Sequence, residues 1–143
     1  MRKAAILLAT AIAVVLAAPP AQAMSGYRWK YRPVVVLAGA DEDAALAEQR
    51  RIFAANRAGL AERDIVVIWV VGNKVRAELG PGPKMTANQL HARFGAAETG
   101  FRVALVGKDG GTKLIQSKPL SADALFGTID SMPMRRKEVT RRL

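Results

Sequence analysis

Two runs of consecutive apolar residues dominate the hydropathy pattern between residues 24 and 143. Val34–Ala38 lies between Pro33 and Gly39, and Ile65–Val71 is apolar throughout. Short runs rich in β-branched residues are typical of strands that are buried on both faces. A segment with helical periodicity separates the two runs. The pattern therefore predicts a strand–helix–strand unit whose two strands are parallel.

The segment between the two runs is predicted to be an amphipathic helix. Asp41–Asp43 precedes it, at a position where carboxylates can accept the free backbone N–H groups of a helix start. Gly59 is expected to end the helix. The predicted inner face consists of Ala45, Leu46, Gln49, Ile52, Phe53 and Asn56.

Breaker and capping residues divide the second half of the chain. Gly80–Pro83 predicts a loop, and Thr86–Gln89 fits a capping box before a short helix that Gly95 is expected to end. Ser121 is suited to cap a last helix, and Pro133 is expected to end it.

Two further strands are predicted between these helices. Phe101–Val106 and Thr112–Gln116 flank Lys108–Gly111, and an Asp-Gly pair between two such stretches indicates a β-hairpin. The resulting order is β-α-β-α-β-β-α. We therefore predict an α/β protein, a three-layer α/β/α sandwich around a mixed four-stranded sheet. This is the element order of the thioredoxin fold.

The N-terminal segment has the layout of a secretory signal peptide. Arg2 and Lys3 precede the apolar run Ala4–Ala18, two prolines follow, and Ala21 and Ala23 occupy the positions that a signal peptidase reads. We expect cleavage after Ala23, and hence a periplasmic or secreted protein. The alternative is a membrane anchor, but a bilayer span needs about 20 apolar residues, and the run Ala4–Ala18 is shorter than that. No transmembrane span is therefore expected in the mature form.

Composition excludes several kinds of chemistry. The 143 residues include no cysteine and one histidine, His91. A disulfide framework, a thiolate nucleophile, a cysteine zinc site and any site built on two imidazoles are therefore excluded. The formal net charge is +10, and the C-terminus is densely basic. We expect a signal peptide over residues 1–23, one domain over residues 24–134 and a basic tail over residues 135–143.

The basic tail is the candidate binding surface. Its cations could attract anionic lipid headgroups or another polyanion, at about 1 kcal/mol for each basic residue near an anionic surface. The alternative is a solvated, frayed terminus. The basic residues of the tail are Arg135, Arg136, Lys137, Arg141 and Arg142.

Five segments give the chain a resemblance to a known family. They are YRWKYRPVVVLAG from Tyr27, GLAERDIVVIWVVG from Gly59, RFG from Arg93, GFRVALVGKDGGTKL from Gly100 and LFGTIDSMPMRR from Leu125. Together they resemble the bacterial domain of unknown function 4174, a relative of the P-DUDES domain of vertebrate extracellular sushi-repeat and coiled-coil-domain proteins. The resemblance implies a thioredoxin-like fold, which agrees with the predicted element order.

Two positions depart from the pattern of active thioredoxins. Those enzymes carry a reactive cysteine after the first core strand, where this chain has Gly39–Ala44, and a cis-proline before the third core strand, where it has Thr99–Phe101. Because a thiolate is the nucleophile of thiol–disulfide exchange, that reaction is excluded. We expect a protein that is not an enzyme and that holds no cofactor or metal.

Four other polar features have a structural explanation that we favour. Asp41–Asp43 could bind a hard cation but suits a helix start. His91 has no defined acid–base partner. Lys108–Gly111 has the glycines of a phosphate loop, yet strands on both sides indicate a hairpin turn. Tyr27–Arg32 alternates aromatic and basic residues like a nucleic-acid stacking platform, but we favour aromatics that pack on the core and expect no nucleic-acid partner.

These observations predict an exported, cysteine-free binding or structural module of the cell envelope. Its expected partner is an envelope protein or an anionic surface. The first alternative is peripheral attachment to anionic envelope surfaces through the basic tail. The second is an enzyme with non-thiol chemistry, although no paired catalytic residues support it.

Overall fold

One open sheet of five strands forms the centre of the molecule. The computed structural model describes residues 24–95 and 100–143. The strands are β1 (Arg32–Ala38), β2 (Ile65–Val71), β3 (Lys74–Glu78), β4 (Phe101–Val106) and β5 (Thr112–Gln116). They lie in the order β3-β2-β1-β4-β5. The predicted signal peptide, with Ala21 and Ala23, lies outside the described residues.

The strand directions bring distant parts of the chain to one end of the sheet. β1 and β2 are parallel, with Arg32 opposite Ile65 and Ala38 opposite Val71. β4 runs antiparallel to β1, and the outer strands β3 and β5 are antiparallel to their neighbours. The beginnings of β1 and β2 and the end of β4 therefore meet at the same end, which we term the Arg32 end.

Helices cover both faces of the sheet. They are α1 (Ala44–Ala55), α2 (Arg57–Glu62), α3 (Ala87–Phe94), α4 (Ala122–Asp130) and α5 (Pro133–Arg142), and a short 3-10 helix spans Ser25–Tyr27. None of the helices in the described part of the chain is long and apolar enough to cross a bilayer.

Two apolar layers hold the helices on the sheet. On one face, α1, α2 and α4 bury Phe53, Leu60 and Leu125 against β1, β2 and β4. On the other face, α3 buries Leu90 and Phe94, together with residues of the N-terminal segment. Because β1 and β2 are covered on both faces, every position along them has to be compatible with burial, which explains their continuous apolar runs.

The local signals at the helix starts are confirmed. The Asp43 carboxylate accepts a backbone N–H from the first turn of α1 at 3.0 Å. Thr86 and Gln89 form the reciprocal hydrogen bonds of a capping box, and Gly95, with φ +68°, ends α3. Ser121 caps α4 through its hydroxyl group.

The sheet has five strands instead of the four that the sequence predicts. Gly72, with φ +58°, turns the chain after β2, and β3 returns with Arg76 opposite Trp69 and Lys74 opposite Val71. β3 is an edge strand in which charged residues alternate with apolar ones. Charges are common on sheet edges because they oppose pairing with another chain. The continuous apolar run that identified the inner strands is therefore missing from β3.

The helix ends also differ from the prediction. The chain forms a second helix, α2, that continues through Gly59, so this glycine is not a stop. Pro133 does not end α4 but begins α5, at a position where the missing N–H of proline removes no helical hydrogen bond. The predicted tail is therefore mostly helical, and the boundary expected after Met134 falls inside α5.

Candidate functional site

Charged side chains from four separate segments meet at the Arg32 end. Arg32 begins β1, Asp64 immediately precedes β2, Lys108 follows β4, and Arg135 and Glu138 lie on α5. We term these five residues the Glu138 cluster. Four of the five segments that carry the family resemblance each contribute one member, and Glu138 lies two residues after the last of them. The cluster is therefore our candidate functional site.

Glu138 is the centre of this cluster. Its Oε1 accepts hydrogen bonds from Lys108 Nζ at 2.5 Å and from Arg32 Nη2 at 3.2 Å, and its Oε2 accepts one from Arg32 Nη1 at 3.3 Å. Lys108 Nζ also donates to Asp64 Oδ2 at 2.8 Å. Two-point pairing between a guanidinium and a carboxylate fixes both distance and orientation. The contacts therefore fasten α5 to the starts of β1 and β2 and to the end of β4.

Arg135 is buried and does not lie on the exposed surface where the sequence placed it. Its side chain is 2 % exposed. Nη2 donates to Glu62 Oε1 at 3.0 Å, Nη1 donates to the backbone carbonyl of Glu62 at 3.2 Å, and Nε lies 3.4 Å from Asp130 Oδ1. These partners belong to α2 and α4. Arg135 therefore fixes α5 against the domain and offers no charge to an outside ligand.

The other basic residues of the predicted tail are exposed along α5. Arg136, Lys137 and Arg141 form no ion pair with any residue in the two described ranges. Arg142 donates to the backbone carbonyl of Glu62 at 3.3 Å. We term Arg136, Lys137 and Arg141 the α5 basic face. Helical periodicity separates this face from Arg135 and Glu138, which point towards the domain.

The cations of the cluster are more deeply buried than its carboxylates. Arg32, Lys108 and Arg135 are buried, whereas Glu138 is 17 % exposed and Asp64 is 34 % exposed. The Nε of Arg32 is buried without a hydrogen-bond partner among the described residues. Each of these cations has a carboxylate partner, but a buried N–H donor without a partner is unfavourable. The Nε of Arg32 is therefore a candidate donor to an anion.

Glu138 remains ionised at neutral pH. Burial raises the pKa of Glu138. The hydrogen bonds from Lys108 and Arg32 and the charges of both partners together outweigh this effect, so the pKa of Glu138 is lowered. The pKa of Asp130 is also lowered, first by its hydrogen bond from Arg63 and then by the charges of Arg63 and Arg135. The carboxylates that hold the cations in place are therefore charged under ordinary conditions.

Acid is expected to destabilise the domain through Glu138. A carboxyl group with a lower pKa in the folded state stabilises the fold fully above its unfolded pKa, about 4.3 for Glu, and this contribution is lost as the pH falls through the folded value. We expect the melting temperature to fall progressively below about pH 4.5, and to fall less steeply in Glu138→Gln. Circular dichroism melts between neutral and acidic pH measure this, and identical pH profiles for the two proteins would contradict it.

A pocket of about 210 Å³ lies beside the cluster. We term it the Met132 pocket. Its charged lining consists of Arg32, Lys108, Asp109 and Lys113, and its apolar lining includes Met132, Pro133 and Met134. An apolar cavity of about 150 Å³ accommodates benzene in another protein, so this pocket has room for a small organic molecule.

In the Met132 pocket, Lys113 and Asp109 compensate each other, whereas the carboxylate partners of Arg32 and Lys108 lie outside the lining. Lys113 Nζ donates to Asp109 Oδ2 at 2.7 Å. This hydrogen bond, followed by one from the Gly111 N–H, lowers the pKa of Asp109, which therefore stays ionised and compensates Lys113.

Asp41 and His91, two of the polar residues considered in the sequence, form contacts within the domain. Asp41 Oδ1 accepts a hydrogen bond from Arg50 Nη2 at 3.2 Å at the surface. His91 Nε2 lies 2.9 Å from the Gly72 carbonyl oxygen, so Nε2 carries the proton in this contact. Across residues 24–95 and 100–143, no group of three His, Asp or Glu side chains is arranged to hold a metal ion.

The aromatic–basic segment divides between the core and the surface. Tyr27 is buried, and its ring lies edge-on to that of the half-buried Tyr31 at a centroid distance of 6.3 Å. The Tyr27 hydroxyl donates to the Pro81 carbonyl oxygen at 2.7 Å, and burial raises the pKa of Tyr27 to about 12. Trp29, in contrast, is 62 % exposed. The expectation of packed aromatics therefore holds for the tyrosines and is wrong for Trp29.

The members of the cluster other than Arg135 were not among the predicted site residues. Arg32 was grouped with the aromatic segment, and Lys108 with the hairpin turn. The available signal is that four of the five resemblance-bearing segments place a charged residue next to the end of a strand or in the last helix. Sequence spacing alone does not show that these ends meet in space.

Comparison with known proteins identifies a family and no structural relative. The sequence model of the family described as "Domain of unknown function (DUF4174)" matches residues 23–138. The match includes every residue of the Glu138 cluster. No solved structure matches the chain significantly.

Proposed function

The chain belongs to the DUF4174 family, and on this premise we propose that it is an exported, non-catalytic module that binds a small anion in the Met132 pocket. The observation that carries the proposal is that two buried cations, Arg32 and Lys108, line a pocket together with Met132, Pro133 and Met134, and that the Nε of Arg32 has no hydrogen-bond partner among the described residues. Export is supported by the signal-peptide layout of residues 1–23. The absence of cysteine supports a role without thiol chemistry.

The lining favours a monocarboxylate with a short apolar body. Arg32 Nη1 donates to Glu138 and to the Arg63 carbonyl oxygen, and Nη2 donates to Glu138, which leaves Nε and one N–H of Nη2. Lys108 uses two of its three N–H groups. Few donors therefore remain, which suits one carboxylate better than a doubly charged phosphate. The side chains of Met132 and Met134 would contact the apolar body. Hexanoate is a suitable probe, and hexanamide is its uncharged counterpart.

Filling the Met132 pocket is expected to abolish this binding. Met134 lines the pocket and is half-buried, so Met134→Trp should occupy its volume while it preserves every charge of the Glu138 cluster. Calorimetric titration of the mature chain with hexanoate should show affinity reduced at least about tenfold, because the apolar contacts of the ligand are lost.

Val139→Trp is the matched control. Val139 lies on the same helix, is 41 % exposed and does not line the Met132 pocket. This variant should bind hexanoate like the parent protein. Equal affinity in Met134→Trp and the parent, or equal affinity of the parent for hexanoate and hexanamide, would contradict the proposal.

A second candidate function is peripheral attachment to an anionic surface of the envelope. The observation that favours it is the α5 basic face, whose three cations have no ionic partner among the residues that the structure describes. Charges of this kind attract anionic headgroups and are screened by salt. The two functions are compatible, because the Met132 pocket and the α5 basic face use different residues.

We also propose that the domain is a thioredoxin-like relative with one added edge strand. Without β3, the remaining order is β2-β1-β4-β5, and a parallel strand–helix–strand unit is followed by a hairpin and a helix. This arrangement supports the relationship that the sequence resemblance implies. The Met132 pocket lies at the Arg32 end, opposite to Gly39–Ala44, where active thioredoxins carry their cysteine.

A further inference from the structure

Trp29 is a large apolar side chain held away from the core by an unfavourable backbone conformation. It is 62 % exposed, and its φ is +68°, a region in which a bulky residue is a clear outlier. Its neighbours Arg28 and Lys30 are also exposed. Backbone strain of this kind persists only where surrounding contacts impose it, and it is concentrated at functional sites.

Contacts on both sides of Trp29 impose this conformation. The Trp29 N–H donates to the Lys108 carbonyl oxygen at 2.8 Å, and the Lys30 and Tyr31 N–H groups donate to the Tyr27 carbonyl oxygen at 3.1 and 2.8 Å. Because Tyr27 is buried, the turn is anchored in the core. The indole ring is therefore presented to the outside by a rigid support.

Positive charge surrounds this turn. Arg28 and Lys30 form no ion pair with any residue in the described parts of the chain, and the Arg28 guanidinium lies 5.6 Å from the Trp29 ring centroid. The turn is linked to α5 through Lys108, whose carbonyl holds Trp29 and whose ammonium group holds Glu138. Because Glu138 lies on α5, Lys108 connects the turn around Trp29 to the helix that carries the α5 basic face.

We propose that the Arg28–Lys30 turn inserts Trp29 into the headgroup region of an anionic lipid bilayer, with the α5 basic face adding electrostatic attraction. Tryptophan is enriched at membrane–water interfaces because its ring is apolar and its N–H group is polar. Neighbouring cations favour anionic lipids. A single exposed aromatic ring does not provide the successive stacking partners of a nucleic-acid platform. The inference goes beyond ligand binding and depends on export.

Tryptophan fluorescence offers a direct test. The chain has two tryptophans, and Trp69 is only 4 % exposed, so a change of environment on binding should report on Trp29. Addition of phosphatidylglycerol vesicles to the mature chain at low salt should shift the emission to shorter wavelength and protect it from acrylamide. Phosphatidylcholine vesicles should cause neither effect. High salt should weaken the binding.

Substitution of Trp29 separates insertion from simple charge attraction. Trp29→Gly should fold, because glycine favours positive φ, and it should bind phosphatidylglycerol vesicles roughly tenfold more weakly in a sedimentation assay. Ile115→Ala removes another exposed apolar side chain, on β5, and should bind like the parent.

Two results would overturn the inference. One is vesicle binding by the parent without any change in tryptophan emission. The other is equal vesicle affinity of Trp29→Gly and the parent, which would leave charge or a protein partner as the explanation for the surface. Hexanoate binding by Trp29→Gly, measured separately, distinguishes failure of this inference from failure of the Met132 pocket.

Discussion

Removal of Arg135–Leu143 is expected to lower the stability of the domain by about 4 kcal/mol, because it breaks a buried charge network. The deletion removes Arg135 and also Glu138, the shared partner of Arg32 and Lys108. For a domain of this size we expect a melting temperature lower by roughly 15 °C. Thermal unfolding of the mature chain, with and without these residues, measures the effect.

A triple variant separates the fastening role of α5 from its surface charge. Arg136→Gln, Lys137→Gln and Arg141→Gln together remove the α5 basic face and leave Arg135 and Glu138 in place. This protein should melt within about 2 °C of the parent, because exposed charges contribute little to stability. If the deletion melted at the parent's temperature, α5 would be the dispensable tail that composition alone suggests.

Glu138→Gln is expected to destabilise the domain by about 3 kcal/mol, although it changes few atoms. The amide keeps an oxygen that can accept hydrogen bonds, but the negative charge that faces Arg32 and Lys108 is lost. Removal of one partner from a buried ion network leaves the remaining charges uncompensated, which is more unfavourable than the loss of a neutral hydrogen bond. Chemical denaturation of the mature chain gives the free energy of unfolding.

The controls for Glu138→Gln test the charge explanation. Glu48 pairs with Arg51 at 2.6 Å on the surface, and Glu48→Gln should leave stability unchanged within error because exposed pairs are screened by water. Adding Lys108→Met to Glu138→Gln removes one of the uncompensated cations and should restore part of the lost stability. A double variant less stable than Glu138→Gln would indicate that shape, and not charge, governs the site.

The inner strands could be predicted from the sequence because burial on both faces requires a continuous run of apolar residues. Val34–Ala38 and Ile65–Val71 are apolar at every position and lie in the central strands β1 and β2. β3 has no continuous apolar run, because an edge strand pairs with a neighbour on one side only and tolerates charged residues. Its turn at Gly72-Asn73 is a weaker signal than an apolar run.

The Glu138 cluster could not be predicted because its contacts join residues far apart in the chain. Arg32 and Glu138 are separated by 106 positions. Seven of the ten residues of α5 are polar, so no apolar stripe identifies the inner face. Only the docked helix shows that Arg135 is buried while Arg136 and Lys137 are exposed. Charge density distinguishes the segment from the rest of the chain but does not distinguish its two faces.

Methionine methyl resonances would test anion binding in the Met132 pocket most directly. Met132 and Met134 line the pocket, whereas Met24 and Met85 are buried on the opposite face of the sheet and serve as internal controls. Titration of methyl-labelled mature protein with hexanoate should shift the Met132 and Met134 signals saturably and leave Met24 and Met85 unchanged, and hexanamide should have no such effect. Unchanged Met132 and Met134 signals, or the same shifts with hexanamide, would contradict the proposed function.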